Sequence, residues 1–446
     1  MLLKLSWKNI ISRPMSSGLS ILLISSGIII ILITLLTFSQ IKDKFEKNAA
    51  EIDLVVGSKG SRLQLVLCNV YHVDQPTGNI NFSRTGLIRN HPFVKMTIPI
   101  SLGDNYKSYR IVGTSHEFID SLYSPSFEKG KLWESPLEVV LGASVAKNLN
   151  LDLDDEFVGG HGLGESIHSH DEFKYKVVGI LAHSGTVIDN LIVTSLESVW
   201  VVHGLEDEEK GSFDLKSKDD VAAEHNHGHH DHGHDHHDHH DHHGHDHHDK
   251  YDPEQILKSL DKKELEITSL LVFYSSPRGK FTVPGMANNN EGMMGAEPSI
   301  EIQQLIDLIE PAISVLKNMA LLVILIAAFS MFVAMFNSLK DRRYEIALMR
   351  DSGASKKQVF STNIIEGIII SFFGYILGIL VSHLGMEVFS SYLSESYHYD
   401  FTGFIWLDVE WWLLLGSLII GMVSALYPAI KAYQIDISRT LSKNEL

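Results

Sequence analysis

Four long apolar blocks constrain most strongly what this chain can fold into. They lie at residues 17–38, 319–336, 367–382 and 411–430 of the 446-residue sequence. An α-helix needs about 20 predominantly apolar residues to cross the ~30 Å hydrocarbon core of a bilayer. The third block reaches that length once the neighbouring residues 364–366 and 383–386 are added. The sequence therefore predicts four transmembrane helices.

The first block has the features of either a membrane anchor or a secretory signal peptide. Lys4, Lys8 and Arg13 precede it, as the basic region of a signal peptide would. Signal peptides have an apolar region of about 7–15 residues that ends in a small-residue cleavage site. This block is longer and continues into a charged helical stretch at residues 42–47. We therefore expect a retained first transmembrane helix.

The distribution of basic residues predicts the orientation of the helices. Lys and Arg mark the short loops on the cytoplasmic side. The segment between the second and third blocks contains Lys340, Arg342, Arg343, Arg350, Lys356 and Lys357, whereas residues 387–410 contain neither Lys nor Arg. Both termini are thus predicted to be cytoplasmic, and the long segment after the first helix is predicted to lie outside.

The predicted fold class is an α-helical membrane protein with four transmembrane helices, plus a large mixed α+β extracytoplasmic domain inserted between helices 1 and 2. Strand patterns at 53–56, 109–113, 138–141, 175–181, 191–194 and 266–274, and helical patterns at 144–149, 195–203 and 299–309, predict the mixed domain. Residues 285–295, rich in Gly, Asn and Met, are predicted to be a mobile connector.

The predicted domains are 1–41 (N-terminal amphipathic helix and first span), 42–311 (outer domain, with a disordered His-rich loop at about 205–260), 312–339 (second span), 340–362 (cytoplasmic coupling loop), 363–386 (third span), 387–410 (outer loop), 411–433 (fourth span) and 434–446 (cytoplasmic tail).

Charge and motif content exclude several functions. The net charge of −18 argues against a nucleic acid partner, because phosphate binding needs clustered Lys and Arg. The single cysteine, Cys68, excludes an intramolecular disulfide and is expected to be a buried thiol. The sequence contains no Gly-x4-Gly-Lys-Ser/Thr loop, so the chain does not bind ATP by that route. We therefore expect a partner protein to supply the energy.

A low-complexity tract at residues 225–248 contains 15 His and five Asp in 24 residues. It has no apolar residue to bury, and we expect it to be disordered. Imidazole and carboxylate ligands suit Zn²⁺, and also Ni²⁺ or Cu²⁺. Alternatively, the tract is an incidental, dispensable repeat that binds metal in vitro but has no function in doing so. The candidate ligands are His225, His227, His229, His230, His232, His234, His236, His237, His239, His240, His242, His243, His245, His247 and His248.

A second group of candidate metal ligands lies in sequence that can fold. It comprises His161, His168, His170, Asp171 and His183, with His203 further on. His168 and His170 alternate, so on a strand they share one face, and a loop over 159–164 is expected to bring His161 to them. Three imidazoles with a carboxylate or a fourth His form a tetrahedral zinc site. The alternative is that each His is individually solvated or buried without a metal.

The segment between the second and third blocks resembles the conserved region of MacB/FtsX-type ABC transporter permeases. It reads Asp-Arg-Arg-Tyr-Glu-Ile-Ala-Leu-Met-Arg-Asp-Ser-Gly-Ala-Ser over residues 341–355 and is followed by Lys-Lys-Gln-Val-Phe. Residues 5–14 are similar to the amphipathic helix that precedes the first span in that family, and residues 427–441 are similar to its C-terminal ending. Asp351 and Ser352 depart from the small apolar residues that are more usual there.

This resemblance implies a homodimer bound to two copies of a separate ABC ATPase. It implies a short coupling helix that begins near 352–355, is capped by Ser355 and ends near Phe360. The residues expected to couple to the ATPase are Arg342, Arg343, Glu345, Arg350, Gly353, Ala354, Ser355, Val359 and Phe360. It further implies that the spans transmit ATP-driven motion to the outer domain. Glu366 is expected to contact the coupling loop, and His383 to pack or lie at an interface.

The predicted function is that of a permease subunit in the bacterial inner membrane, which moves or releases a substrate at its outer domain. A link to zinc or another divalent metal is inferred from the histidines alone. A periplasmic metal-binding protein or an outer-membrane protein is a further candidate partner. One alternative is a permease that exports or extracts lipoproteins, lipids, drugs or peptides, with the His tract incidental. Another is an FtsX-like regulator of a cell-wall hydrolase. In all three the chain itself is not an enzyme and has no catalytic residue.

Overall fold

The computed structural model describes residues 2–49, 51–161, 168–209, 253–260, 265–397 and 401–435. It divides into two compact units. The membrane unit comprises residues 1–44 and 304–446, and the globular unit comprises residues 45–303. The His-rich tract and the C-terminal tail lie outside the described residues.

The membrane unit contains four helices that are long and apolar enough to cross a membrane. They are α2 (Pro14–Ala49), α9 (Pro298–Asp341), α11 (Lys356–Tyr397) and α12 (Val409–Tyr433). Two shorter helices accompany them, α1 (Leu2–Ile11) and α10 (Arg343–Asp351). Helices α2 and α9 are each continuous from one unit into the other. The prediction of four spanning helices with an inserted α+β domain is confirmed.

Close backbone contact holds the third and fourth spanning helices together. A Cβ added at Gly421 would lie 2.2 Å from Ser371 Oγ and 2.6 Å from the Gly367 carbonyl oxygen. Only a residue without a side chain allows that approach. Buried side chains from α1, α2, α9, α11 and α12 then form one apolar cluster, which includes Ile28, Met331 and Ala425.

The globular unit alternates strands with short helices. Its strands are β1 (Leu54–Ser58), β2 (Ile80–Asn81), β3 (Val94–Tyr106), β4 (Tyr109–Thr114), β5 (Phe127–Gly130), β6 (Glu138–Leu141), β7 (Glu156–His161), β8 (His168–Leu181), β9 (Leu191–Ser195), β10 (Glu266–Ile267), β11 (Ser269–Tyr274) and β12 (Met293–Ala296). Its helices are α3 (Arg62–Val70), α4 (Gly86–Arg89), α5 (Ala143–Leu149), α6 (Leu196–Glu209), α7 (Pro253–Ser259) and α8 (Gly279–Asn289). Short single-turn helices cover Phe82–Thr85, Phe118–Tyr123 and Val187–Asn190.

The main sheet is mixed and runs in the order β12-β1-β11-β3-β4-β9-β6-β8-β5, while β2 and β10 form a separate pair. β4 pairs with β9, and β6 with β8, in parallel. β7 pairs antiparallel with both β3 and β8. The strands β3-β4-β9-β6-β8-β7 therefore close into a ring, which we call the barrel. In this ring β7 pairs with β8 at five positions and with β3 at the Asn105–Gly160 pair.

Two apolar cores fill the globular unit. One lies in the barrel and joins Ile111, Val139 and Tyr175 with side chains of α6 and α7. The other joins the β1 and β11 side of the sheet with α4 and α8, through Leu54, Leu270 and other buried residues. Cys68 is buried and carries a free thiol, as expected.

The predicted mobile connector at residues 285–295 is wrong. Helix α8 and strand β12 occupy this segment. Met293 and Met294 are buried, and the Met294 sulfur accepts a hydrogen bond from the Gly60 amide at 3.1 Å. Pairing of β12 with β1, rather than local sequence, orders this Gly-rich and Asn-rich stretch. The long strand β3, which contains Pro99 and Gly103, was not predicted.

Candidate functional site

Helix α10 and a tight turn connect the second spanning helix to the start of the third, α11. We call residues 342–360 the coupling segment. Helix α10 occupies most of it, the chain turns at Gly353 with a positive φ of 101°, and α11 starts at Lys356. The expected separate helix ending near Phe360 is wrong, because α11 continues without a break through the whole third span. The short independent helix is α10, which precedes the turn.

The start of α11 is fixed by a reciprocal capping box. The Gln358 amide donates to Ser355 Oγ at 3.3 Å, and the Ser355 amide donates to Gln358 Oε1 at 2.8 Å. This pattern satisfies two amides that the first turn of a helix leaves unpaired. The structure thus shows Ser355 as a cap, although the helix it caps is the spanning helix itself. The Ser-x-x-Gln spacing at 355–358 was the available signal for the role of Gln358.

Helix α1 is attached to both sides of the coupling segment. The Arg342 guanidinium donates to Asn9 Oδ1 at 2.6 Å and to Glu345 at 3.1 Å. Arg13 forms an ion pair with Asp341 at 3.1 Å, and Ser6 Oγ donates to the Thr362 carbonyl oxygen at 3.0 Å. These contacts hold α1, α10 and α11 as one assembly. The roles of Ser6 and Asn9 were not predicted, because nothing in the local sequence indicates partners that lie 356 and 333 residues away.

An apolar cluster lies beneath the coupling segment. Ile346, Val359 and Ala432 are buried in it together with Leu339. Arg350 donates to the Ile435 carbonyl oxygen at 2.6 Å, which fixes the end of α12 to α10. A side of the segment remains exposed, and Arg343, Glu345, Gly353 and Ser355 lie on it, whereas Arg342, Arg350, Ala354 and Phe360 are half-buried.

Two clefts flank the exposed side of the coupling segment. One has a volume of about 440 Å³ and is lined by residues of α1, α10 and α11, including Leu5, Ile346 and Val359. The other has a volume of about 290 Å³ and is lined by Lys357, Phe360, Ile430 and Tyr433. Tyr344 and Leu348 are large apolar side chains on α10 that are 44% and 51% exposed. The segment therefore offers a rigid, partly apolar surface to a binding partner.

Glu366 is buried in the third spanning helix, close to the start of that helix. It lines a small polar space together with Arg13, Ser17, Ser20 and Ser338. Its carboxylate interacts with Arg342, Asn9 and Arg13. The charge of Arg342 acts on Glu366, and the expected direct contact between Glu366 and the coupling segment stays a prediction.

A second cluster of polar contacts holds residues 403–410, which precede and begin the fourth span, against the third spanning helix. His383 Nε2 lies 3.3 Å from Glu410 Oε2, and its other ring nitrogen contacts the Gly403 carbonyl oxygen. Glu410 is fully buried and also accepts from the Leu407 amide at 2.9 Å. His383 thus has a packing and hydrogen-bonding role, in agreement with the expectation from sequence.

The end of α2 is attached to a loop of the globular unit. Asn48 Oδ1 accepts from the Val187 amide at 3.0 Å, and Lys47 donates to the Ser184 carbonyl oxygen at 3.1 Å. The buried Asp189 carboxylate holds this loop by accepting from the Ser184 and Gly185 amides at 2.9 and 2.7 Å. The last residues of α2, which belong to the globular unit, therefore contact this loop.

The predicted metal ligands fall into three sets. His161 and His168 are direct partners in the β7–β8 ladder, and His170 and Asp171 follow in β8. The expected loop over 159–164 begins as strand, since β7 extends to His161. His183 lies elsewhere, with Nδ1 3.0 Å from Asp189 Oδ2. The ligands from His225 to His248 lie outside the described residues. Among the side chains that the structure describes, no three His, Cys, Asp or Glu form a metal-binding group.

The four long apolar helices, with a globular unit inserted in the chain between the first two, indicate a multi-pass membrane protein. Residues 318–437 match the family described as FtsX-like permease C-terminal. The predicted resemblance to MacB/FtsX-type permeases is confirmed over these residues.

Two solved structures of transporter domains show weaker similarity. The periplasmic region of MacB from Actinobacillus actinomycetemcomitans is 10% identical with a TM-score of 0.33, over 60% of this chain and 98% of that chain. The extracellular domain of the noncanonic ABC-type transporter YknZ from Gram-positive bacteria is 8% identical with a TM-score of 0.29, over 55% of this chain and 99% of that chain. The comparison with curated proteins found no match.

Proposed function

We propose that this permease couples ATP hydrolysis by a separate ATPase to the movement or release of a substrate at its globular unit. The observation that carries the proposal is the attachment of the coupling segment to the membrane unit. Arg342 donates to Asn9 of α1, and Ile346 and Val359 are buried together with Leu339 and Ala432. A partner that displaces this segment therefore also displaces the helices to which the segment is attached.

The coupling segment is the proposed docking surface for the ATPase. Its α10 helix presents Tyr344, Leu348 and Arg343, two apolar groups and one cation, to solvent. Exposed aromatic and Arg side chains are characteristic of protein interfaces. The apolar cluster below and the ties to α1 prevent the segment from moving independently of the spans. In this proposal both termini and the coupling segment are cytoplasmic, and a homodimer binds two ATPase copies.

The receiving end of the proposed transmission is the contact of Lys47 and Asn48 with the loop at residues 183–190. Asn48 is buried, so its hydrogen bond to Val187 is shielded from competing water. A displacement of α2 therefore moves this loop and, through Gly142, the start of α5. A Cβ at Gly142 would lie 2.2 Å from the Ile188 carbonyl oxygen, which shows how closely the two segments pack.

The second part of the proposal is a link to zinc or another divalent metal. Its support is the composition of residues 225–248, in which imidazoles and carboxylates recur at overlapping spacings. The metal is proposed to take part in the movement or release of the substrate on the extracytoplasmic side of the membrane. Deleting residues 225–248 is expected to lower the bound zinc by several ions per chain, and an unchanged count would remove this part of the proposal.

Co-purification with the ATPase tests the first part. Reversing the charge of Arg343 together with replacing Leu348 by Asp is expected to abolish co-purification in detergent. Reversing Lys4 and Lys8, two basic residues of α1 that lie off the coupling segment, is the matched control and is expected to retain the ATPase. Equal retention by both variants would contradict the docking surface.

Accessibility of single cysteines tests the orientation. The native Cys68 is buried and serves as a silent background. Cysteines introduced at Ser352 and at Asn226 are expected to react with a membrane-impermeant maleimide from opposite sides of the inner membrane. Labelling of both from the same side would exclude transmission across the bilayer.

A further inference from the structure

One face of α9 is apolar and exposed along most of the helix. Its residues follow one another at spacings that alternate between four and three positions. They are Leu308, Ala312, Val315, Met319, Leu322, Ile326, Phe329 and Val333, all of them exposed. The seven larger side chains are between 39% and 77% exposed. We call these eight residues the α9 stripe. Helix α9 is continuous through Pro311, so the stripe lies on one unbroken helix.

The opposite face of α9 packs against the rest of the membrane unit. Ala327 and Met331 are buried there, in the apolar cluster that α9 forms with α2, α11 and α12. Ser424 of α12 also donates from its hydroxyl to the Ala328 carbonyl oxygen of α9 at 3.1 Å. The stripe is therefore on the side of α9 that is turned away from this cluster.

The spacing of the stripe is that of a coiled-coil heptad. Apolar residues that recur at alternating intervals of four and three are the a and d positions, which keep one side of a helix against a partner helix. Leu308, Val315, Leu322 and Phe329 are the d positions in this register. Lipid covers every exposed apolar face alike and does not require such an order. The pattern therefore indicates a helical partner.

The stripe continues beyond the part of α9 that lipid can cover. Lys317 and Asn318 directly precede the apolar block at 319–336, and a charged side chain within the hydrocarbon is costly. Leu308 precedes Met319 by 11 residues, which is about 16 Å along a helix. The headgroup layer is only ~5–8 Å thick on each side of the hydrocarbon. Leu308, which is 77% exposed, therefore lies beyond the headgroups, where a protein surface is needed to cover it.

The distribution of charge favours an identical partner. In a parallel, in-register pair each a or d residue meets the same residue of the other copy. The eight residues of the stripe include no charged residue, so no like charges meet in such a pair. The nearby charges of Glu310 and Lys317 are both at f positions, on the side of the helix opposite the stripe.

We propose that the α9 stripe is the interface between two copies of this chain, with the two α9 helices packed in parallel and in register. The inference rests on the homodimer of the proposed function and assigns a surface to it. Over residues 308–333 the a, d, e and g positions amount to 16 residues per copy. A stable soluble interface has about 20–30 residues a side, so α9 supplies most of the contact that a dimer needs.

Cross-linking of single cysteines in native membranes tests the proposal. Leu308→Cys and Val315→Cys are expected to give covalent dimers with a short bis-maleimide, because d positions face their own copies. Lys317→Cys is the matched control, since it is exposed at nearly the same depth but on the opposite side of α9. Its dimer yield is expected to be about tenfold lower. The buried Cys68 provides a silent background.

A charge placed on the stripe is a second test on the intact protein. Val315→Asp sets two like charges against each other in the pair and is expected to raise the Kd of the dimer about tenfold. Ser314→Asp adds the same charge at the neighbouring exposed c position and is expected to change this Kd by less than about twofold. Energy transfer between labelled copies in lipid bilayers measures both values.

Three results would overturn the interface. They are equal dimer yields from Val315→Cys and Lys317→Cys, cross-links from the stripe to a different protein, and dimers through Trp412→Cys of α12 without any through α9. In the last case the homodimer itself would stand. A parent that is monomeric in the membrane yet co-purifies with the ATPase would remove the homodimer and the stripe but leave the coupling function. Loss of the ATPase from a parent that still cross-links through α9 would count against the coupling function alone.

Discussion

The Arg342 guanidinium donates a hydrogen bond to Asn9 Oδ1 at 2.6 Å, joining residues 333 positions apart in the chain. Asn9 lies in the N-terminal helix and Arg342 at the entrance of the coupling segment. The same guanidinium also pairs with Glu345 at 3.1 Å. This contact makes α1 part of the structure that the ATPase is proposed to move.

We expect Asn9 and Arg342 to be energetically coupled. Arg342→Ala and Asn9→Ala together should destabilise the protein by about 1–2 kcal/mol less than the sum of the single variants, since each single change already removes the shared charged hydrogen bond. A double-mutant cycle on unfolding in detergent measures the coupling. Strict additivity would show that the contact contributes nothing to stability.

The capping box at the start of α11 is expected to stabilise the third spanning helix. Ser355→Ala removes the side-chain acceptor of the Gln358 amide and should cost about 1 kcal/mol, whereas Ser355→Asp should retain most of the stability. Ser352→Ala is the control, because Ser352 Oγ only donates back to the Leu348 carbonyl oxygen. Thermal unfolding of the three variants makes the comparison, and an equal loss in all three would contradict a capping role.

The anchoring of α2 is expected to matter for transmission more than for assembly. Asn48→Ala removes the acceptor of the Val187 amide and should leave ATPase co-purification intact while lowering coupled turnover. Glu51→Ala, an exposed change close by, is the control. The measurement is ATP hydrolysis and substrate release by the reconstituted complex. Parent-like coupling in Asn48→Ala would show that this joint does not transmit motion.

The globular unit is expected to lose stability in mild acid through His72. Burial of the ring and the nearby Arg110 guanidinium lower the pKa of His72 to about 3, and neither ring nitrogen has a hydrogen-bond partner among the described residues. In the unfolded chain the His72 ring becomes protonated near pH 6.5. In the folded chain it becomes protonated only near pH 3. The contribution of neutral His72 to the free energy of unfolding is therefore complete above pH 6.5. It decreases by about 1.4 kcal/mol for each unit by which the pH falls from 6.5 towards 3.

His72→Asn is the variant that tests this pH dependence. Asn tolerates the positive φ of 54° at this position better than most residues do. Denaturant unfolding at several pH values between 4 and 7 should show a shallower pH slope for the variant than for the parent. Identical slopes would assign the acid sensitivity to other groups.

Local patterns predicted much of the chain because local physics determines those features. The four spans follow from the length of the apolar blocks, and β6 and α5 appear within a residue of their predicted bounds. The cap at Ser355 follows from its spacing to the next Gln. Errors arose where a partner distant in sequence decides the outcome. Residues 285–295 look like a loop in isolation, but β12 becomes a strand because β1 offers it an edge.

The sequence by itself determined four membrane spans, an inserted mixed domain and a surplus of metal-binding side chains, since hydrophobic length, periodicity and ligand chemistry act over a few residues. Only the tertiary structure decided that α1 binds Arg342. It also decided that β7 pairs with both β3 and β8 and so closes the barrel. Strand register and helix docking depend on the simultaneous packing of distant segments. A pattern that repeats every two or four residues does not contain that information.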